Sequence, residues 1–258
     1  MRLIRRFAIL LISALTPLVY QKFELQVLRA RGYGYDPGTE SEVQVALSLL
    51  QLEETSLIAF DIGANYGDYT SALLKQAPNS YVHAFEPSPP IHSRLRERFE
   101  GDERVDVHQF GFSNHTAEVQ LFSDNFNGKM SSLAKRNLEH LNVKFDLATK
   151  ISVRTLNDYC TQANVIPHLI KIDVEGFEFQ VIQGAAELLS QIRLIQFEFG
   201  GTNIDTKVFF RDFWEILVGA GFEIFRLTPR GLVRIERYSE THEVFVFSNF
   251  YARSIKLK

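Results

Sequence analysis

Cysteine is nearly absent from this 258-residue chain. Its one example, Cys160, excludes an internal disulfide framework, and without a CxxC pair or a Cys/His cluster the sequence carries no structural zinc motif. A reducing compartment fits that usage. Long basic blocks are missing as well. Lys and Arg total 28 against 31 Asp and Glu, a net charge of −3, so nothing matches a phosphate backbone and nucleic acid is not expected as the main partner. Nor does any apolar run reach the roughly 20 residues that a helix needs to span a bilayer. The nearest approach is the uncharged stretch from Phe7 to Tyr20, preceded by Arg2, Arg5 and Arg6. It reads as a packed or membrane-surface helix, with peripheral membrane contact through residues 1–20, or else as a signal or anchor. No clear small-x-small cleavage site follows it, so the body of the protein is expected on the cytoplasmic side.

Hydrophobic residues make up 45% of the chain, enough to fill the core of one generous domain. That domain is expected over residues 56–258, behind an N-terminal part, residues 1–55, of apolar sequence and covering helices. Thr39 and Glu42 stand in capping-box spacing ahead of a helix that puts Val43, Ala46, Leu47 and Leu50 on one face. LIAFDIG then reads as a strand and GDYTSALLKQA as a helix, with SYVHAFEP and the Ser88-capped segment after it repeating the unit. VDVHQFGF and AEVQLF read as further strands. Residues 123–150 show no dominant period and are read as an insertion beside the active site. Thr155 caps a short helix before HLIKIDVEG, the expected central strand; FEFQVIQGAAELL, LIQFEFG and KVFFRDFWEILVGAG follow as helix, strand and helix. FEIFRLT, GLVRIERY and HEVFVFSNF come without helices between them and predict an antiparallel tail. Alternating strands and helices call for a mostly parallel sheet covered on both faces, with ligands bound beyond the C-terminal strand ends.

Three groups of residues fall at that edge. The first is D-I-G-A-N-Y-G, with Asp61 closing the strand and Gly63, Asn65 and Gly67 shaping the turn. A dinucleotide fold would have G-x-G-x-x-G here to cradle a pyrophosphate; G-x-N-x-G suits a ligand without phosphate. A bare glycine turn with a structural aspartate is the plainer alternative. The second is Glu86, at the end of the next strand, where a carboxylate accepts from both hydroxyls of a ribose or, more simply, caps an exposed turn. The third is K-I-D-V-E-G-F-E, which brings Lys171, Asp173 and Glu175 to the end of the central strand, with Glu198 closing its neighbour. Ionisable groups ending an apolar run are costly unless paired or solvated, so Lys171 and Asp173 serve either as a structural pair or in chemistry.

These stretches together, FDIGANYGDYT, HAFEPSP, the GFSN turn, SSL at Ser131 to Leu133 and LIKIDVEGFEFQVIQGA, resemble the FkbM family of methyltransferases over about residues 57 to 250. The last motif is the specific one. The resemblance implies a Rossmann-like class I methyltransferase fold with a mostly parallel seven-stranded sheet, S-adenosyl-L-methionine as methyl donor, and transfer to an oxygen of a sugar, glycan, lipid or natural-product acceptor. It implies that Asp61, Gly63, Asn65, Gly67 and Glu86 hold the donor, that Phe112 lies near the adenine, and that Asp173 and Glu175 lie near the transferred methyl. The N-terminal 55 or so residues inherit no role from it.

In the resulting mechanism an acceptor hydroxyl attacks the donor methyl in line, with Asp173 as base, Glu198 and Glu175 in reserve, and Lys171 holding Asp173 or a developing alkoxide. No His joins the carboxylates, which argues against a divalent metal there. A nicotinamide-dependent oxidoreductase would share the fold and Glu86 but lacks its glycine pattern here. A non-catalytic, membrane-associated binding protein would need no acidic edge.

Overall fold

The computed structural model describes residues 17–50, 56–124, 131–139 and 142–257. Arg2, Arg5, Arg6 and most of the apolar stretch behind them lie outside the described residues. The chain enters through helix α1 (Pro17–Ala30), whose Val19, Tyr20, Phe23, Leu25 and Val27 are exposed. Among the described residues no helix is long and apolar enough to cross a membrane. After α1 the chain is tied down: Tyr33 is buried against Arg226, whose guanidinium lies 4.3 Å from the ring centroid and donates to the Tyr33 hydroxyl at 2.5 Å.

Helix α2 (Thr39–Leu50) buries Val43, Ala46, Leu49 and Leu50. Its start departs from the sequence expectation. The first-turn amides of Ser41 and Glu42 bond to the Gly38 carbonyl, and the Glu42 carboxylate turns away from Thr39 to accept from Asn249 Nδ2 at 2.7 Å and Gln196 Nε2 at 3.1 Å. Two buried amides facing a carboxylate outcompete an end-of-helix bond that water can replace.

The repeating units follow as β1 (Ile58–Ile62), α3 (Asp68–Gln76), β2 (Tyr81–Phe85), α4 (Pro89–Arg98) and β3 (Val105–His108). The expected single strand VDVHQFGF divides, because its apolar positions change phase: Val105 and Val107 are odd, Phe110 and Phe112 even. A slip of one residue reverses the faces of a strand. The chain leaves the sheet there, and β4 (Gly111–Phe112) opens a second, smaller sheet with β5 (Ala117–Ser123), β6 (Ser131–Ser132) and β7 (Leu147–Arg154), ordered β4-β7-β5-β6.

Thr155 accepts from the Asp158 amide and caps α5 (Leu156–Ala163). Then come β8 (Leu169–Ile172), α6 (Glu178–Gln183), β9 (Leu194–Phe199), α7 (Thr202–Thr206) and α8 (Phe210–Ala220), which ends at Gly221 in the left-handed conformation. The tail is β10 (Phe222–Thr228), β11 (Gly231–Ile235) and β12 (Ser248–Ser254). HEVFVFSNF is strand only from Ser248 onward: the Phe247 carbonyl is taken by the Gly34 amide at 2.6 Å, which removes it from any ladder.

The main sheet runs β11-β10-β12-β9-β8-β1-β2-β3, with β3, β2, β1, β8 and β9 parallel and β12 antiparallel to both neighbours. The expected seven strands are all there, and β11 adds a hairpin partner at one edge. One face, carrying Phe60, Ile62, Ile170, Ile172 and Phe197, packs under α5, α6 and α8; the other, carrying Ala59, Leu169 and Leu194, packs under α2 and α3. Both faces being covered explains the continuous apolar strands.

Gly63 shows how tightly the ligand edge is drawn together. It adopts φ +75°, and a Cβ there would stand 1.9 Å from the Asp173 carbonyl oxygen. Gly231, at φ +101° in the β10–β11 turn, has open space around it. Gly231→Ala should therefore cost only the left-handed penalty of about 1 to 2 kcal/mol. Gly63→Ala should add about 1 to 3 kcal/mol of overpacking to the same penalty. Urea unfolding of the two variants beside wild type checks the difference.

Candidate active site

The C-terminal ends of β1, β2 and β8 open into a cavity of about 310 Å³, at the low end for small-molecule sites. Its polar side comes from the loops after those strands and from α2. Its apolar side is the inner face of the small sheet, with Leu121, Leu133, Ile151 and Val153.

Most of the residues singled out from sequence meet here. Gly63, Asn65, Glu86, Phe112, Lys171, Asp173 and Glu175 all line the cavity. Asn65 holds φ 50° and its side chain accepts from the Tyr66 amide at 2.9 Å, an arrangement asparagine tolerates better than most residues. Glu86 is 4% exposed; its Oε2 accepts from the Asn65 amide at 3.1 Å and its Oε1 from the Ser88 amide at 2.8 Å. Each oxygen keeps a second lone pair. Burial pushes the carboxyl up to about 7, against the pull of those two amides and of Lys171.

Three residues sit behind the wall. Asp61 is buried, taking a hydrogen bond from Thr70 Oγ1 at 2.7 Å and pairing with Lys171 Nζ at 3.2 Å. Asp61 shares a face with Ala59 and with its cross-strand neighbour Lys171, and its contacts with Thr70 of α3 and with that ammonium hold it beneath the cavity. Gly67 starts α3 at φ +81°, where a Cβ would lie 2.4 Å from Phe99 Cε2, so it serves helix packing. Glu198 is half-buried beside Asp173, Glu178 and Glu175, and lies outside the lining. Burial first, and those three carboxylates next, push it well above the ordinary carboxylate range.

Lys171 is the hub. Its ammonium lies 3.1 Å from the Gly63 carbonyl, 3.2 Å from Asp61 Oδ1 and 3.4 Å from Asp173 Oδ2, and over the Tyr69 ring at 5.7 Å. Burial alone would lower its pKa; the carboxylates of Asp61 and Asp173 outweigh that and raise it, so the group stays charged. Glu175, at φ 54°, pairs with Arg136 at 3.3 Å, and its carbonyl accepts from Ser132 Oγ at 2.7 Å. Burial, then Asp173 and Glu178, push its carboxyl up to about 7.

Sequence reasoning passed over several residues. Glu178, buried at the first turn of α6, accepts from the amides of Val174 and Gly176 and so holds the loop that carries Glu175. A carboxylate at a helix start behind a glycine was a readable signal for it. Glu42, Tyr69, Gln196 and Asn249 form a buried hydrogen-bonded set, of which Glu42 and Tyr69 line the cavity. The capping-box spacing that marks Glu42 points to a helix start, and no local motif links the four.

A Rossmann-like sheet whose second strand ends in a buried carboxylate, facing a glycine-asparagine turn, defines the class I methyltransferase architecture. The Methyltransferase FkbM domain matches residues 61–224, and the chain belongs to that family of methyltransferases. It is 27% identical over 192 residues to the 2-O-methyltransferase NoeI of Sinorhizobium fredii, covering 70% of this chain and 78% of that protein. It is 23% identical over 158 residues to the hexuronic acid methyltransferase AglP of Haloferax volcanii, covering 60% of each. In fold it is similar to a solved FkbM methyltransferase of Methylobacillus flagellatus, at TM-score 0.50 and 17% identity, over 81% of this chain and 47% of that one. Family membership removes the nicotinamide oxidoreductase and the non-catalytic binding protein.

The raised carboxyl of Glu175 has a stability consequence with a definite sign. Between its ordinary 4.5 and about 7 the unfolded chain has lost this proton while the folded chain keeps it. Wild type therefore loses stability from this group as pH rises through that window. The stability of Glu175→Gln relative to wild type should rise across the same window and level off above it. The rise is at most about 3 kcal/mol, reduced by screening of a carboxyl that is 30% exposed. Urea unfolding of both proteins at several pH values measures it.

Proposed function

We propose that this cavity binds S-adenosyl-L-methionine and that the enzyme methylates a hydroxyl of a sugar-containing acceptor. The observation that carries the reading is Glu86. Its carboxylate is fixed by two backbone amides and faces the cavity, with one lone pair left on each oxygen for a vicinal diol. The fit extends beyond it. A side chain at Gly63 would close the loop against Asp173, and Asn65 turns the chain without the amide cradle that a pyrophosphate requires. Phe112 and the apolar face of the small sheet offer a surface for a planar base. Glu42, Glu86, Asp173 and Glu175 surround the space with negative potential, which suits a cationic donor.

The donor supplies an electrophilic methyl on a sulfonium; the protein supplies alignment and charge. Asp173 is the proposed acceptor of the hydroxyl proton because its side chain is 37% exposed, lines the cavity and is steered by Lys171. Glu198 is pushed well above the ordinary carboxylate range and stands outside the lining, which makes it the weaker choice. Lys171 remains an ammonium and acts by fixing Asp173 and the Gly63 carbonyl. The names of NoeI and AglP point to oxygen and to a hexuronic acid. The acidic rim favours a neutral sugar hydroxyl over a uronate in this chain. Residues 123–150, whose Ser131 and Leu133 reach the cavity, are the proposed acceptor side. Exposed Val19, Phe23 and Leu25 on α1 support peripheral contact with a cytoplasmic membrane surface.

Calorimetry should find binding of adenosylmethionine and adenosylhomocysteine and none of NAD. Affinity for adenosylhomocysteine should fall about tenfold from pH 8 to pH 6, as Glu86 takes up its proton. Glu86→Gln should bind roughly ten- to a hundredfold more weakly and lose that slope, the loss expected when charge-assisted hydrogen bonds disappear. Unchanged affinity in Glu86→Gln removes the residue from the site.

Asp173→Asn should abolish methyl transfer to hydroxylated glycans, read by mass spectrometry, while donor affinity stays within about threefold. A dead Glu198→Gln beside an active Asp173→Asn would move the base to the neighbouring strand.

A further inference from the structure

A cluster outside the cavity is built by strand pairing alone. On the edge pair β2–β3, His83 stands opposite Asp106 and Phe85 opposite His108, so the three polar side chains project from one face. That face is covered by α5, from which Tyr159 reaches in. His83 Nδ1 and His108 Nε2 are 3.3 Å apart. Asp106 Oδ2 lies 3.2 Å from His108 Nε2 and 3.8 Å from His83 Nδ1. The Tyr159 hydroxyl stands 2.8 Å from the first nitrogen and 2.9 Å from the second. The rings of His83 and His108 lie side by side with 5° between their planes and 5.6 Å between their centres, so that the two nitrogens face each other. The cluster is graded in exposure: the side chains of His83, His108 and Asp106 are 9%, 18% and 48% exposed, which gives an entry path from the sheet edge.

Two of these separations, 3.3 and 3.2 Å, match the edges of a tetrahedral zinc site, and the third, 3.8 Å, closes with a movement of about half an ångström by the half-exposed Asp106 side chain. Zinc bonds to imidazole nitrogen and carboxylate oxygen measure about 2.0 to 2.2 Å, which sets ligand atoms roughly 3.3 Å apart along each edge of the tetrahedron. Two imidazoles and a carboxylate are also ligands that zinc takes readily. We propose that His83, Asp106 and His108 form a zinc-binding site, with the Tyr159 hydroxyl or a water in the fourth position. The bound ion ties the edge strand β3 to β2 and to α5, away from the methyl-transfer cavity. No donor or acceptor chemistry passes through it.

The test uses untagged full-length protein stripped with a chelator and titrated with zinc, then with cobalt(II). One equivalent of zinc is expected to bind and to raise the melting temperature, and cobalt is expected to give the intense visible bands of a tetrahedral complex. His108→Gln and Asp106→Asn should each weaken zinc binding at least tenfold, and Tyr159→Phe by less than tenfold. Asp106 is half-exposed, so its asparagine variant keeps the fold from deciding the result. If wild type binds zinc no more tightly than Asp106→Asn, or if the cobalt spectrum is the weak octahedral one, the proposal fails and the cluster is a His–Tyr–His hydrogen-bond network.

Discussion

The Lys171 ammonium, buried among Asp61, Asp173 and the Gly63 carbonyl, joins the ends of the two central strands to the loop that shapes the cavity. A buried cation is tolerable only with partners placed this closely, and the partners are equally dependent on it. Asp61 has Thr70 as its other neighbour, and Asp173 has the cavity. Removing the lysine would leave two carboxylates facing each other at the edge of the sheet. The same cation therefore ties the end of β1 to the end of β8, through Asp61 and the Gly63 carbonyl on one side and Asp173 on the other.

Around that hub the site concentrates negative charge beyond what one lysine balances. Glu86, Glu175, Glu178 and Glu198 are all pushed upward, each by burial first. Backbone amides relieve Glu86 and Glu178, Arg136 relieves Glu175, and Lys171 relieves Glu198. Carboxylates gathered this closely raise the cost of ionising one another, and a positive charge placed among them lowers it. The acid that fixes the loops and the acid that faces the ligand are thus parts of one electrostatic arrangement.

The part of the chain before the family match is structurally continuous with the site. Tyr33 is held by Arg226 of β10, and α2 sends Glu42 across to Gln196 of β9 and Asn249 of β12. Glu42 reaches the cavity from a helix that shares no motif with the domain.

Much of this was legible in the sequence, and for a local reason. Strand–turn–helix units announce themselves through periodicity and glycine, so the edge on which Gly63, Asn65, Glu86, Lys171, Asp173 and Glu175 gather followed from the order of elements alone. The side on which a residue points, and its partner across the sheet, are not local. Asp61 shares its sheet face with Lys171, which lines the cavity, yet stays outside the lining because Thr70 and Lys171 bury it under α3, and Glu198 stands one strand further out. Glu42 left its expected cap because Asn249 and Gln196, far along the chain, offered buried amides. VDVHQFGF divided between two sheets where its apolar phase slipped by one residue. His83, Asp106 and His108 carry no metal-motif spacing, and only the parallel register of β2 and β3 brings them together. The sequence by itself determined the order of the elements and the chemistry gathered at their ends; the tertiary structure decided the pairings, because long-range register and burial depend on which strands become neighbours.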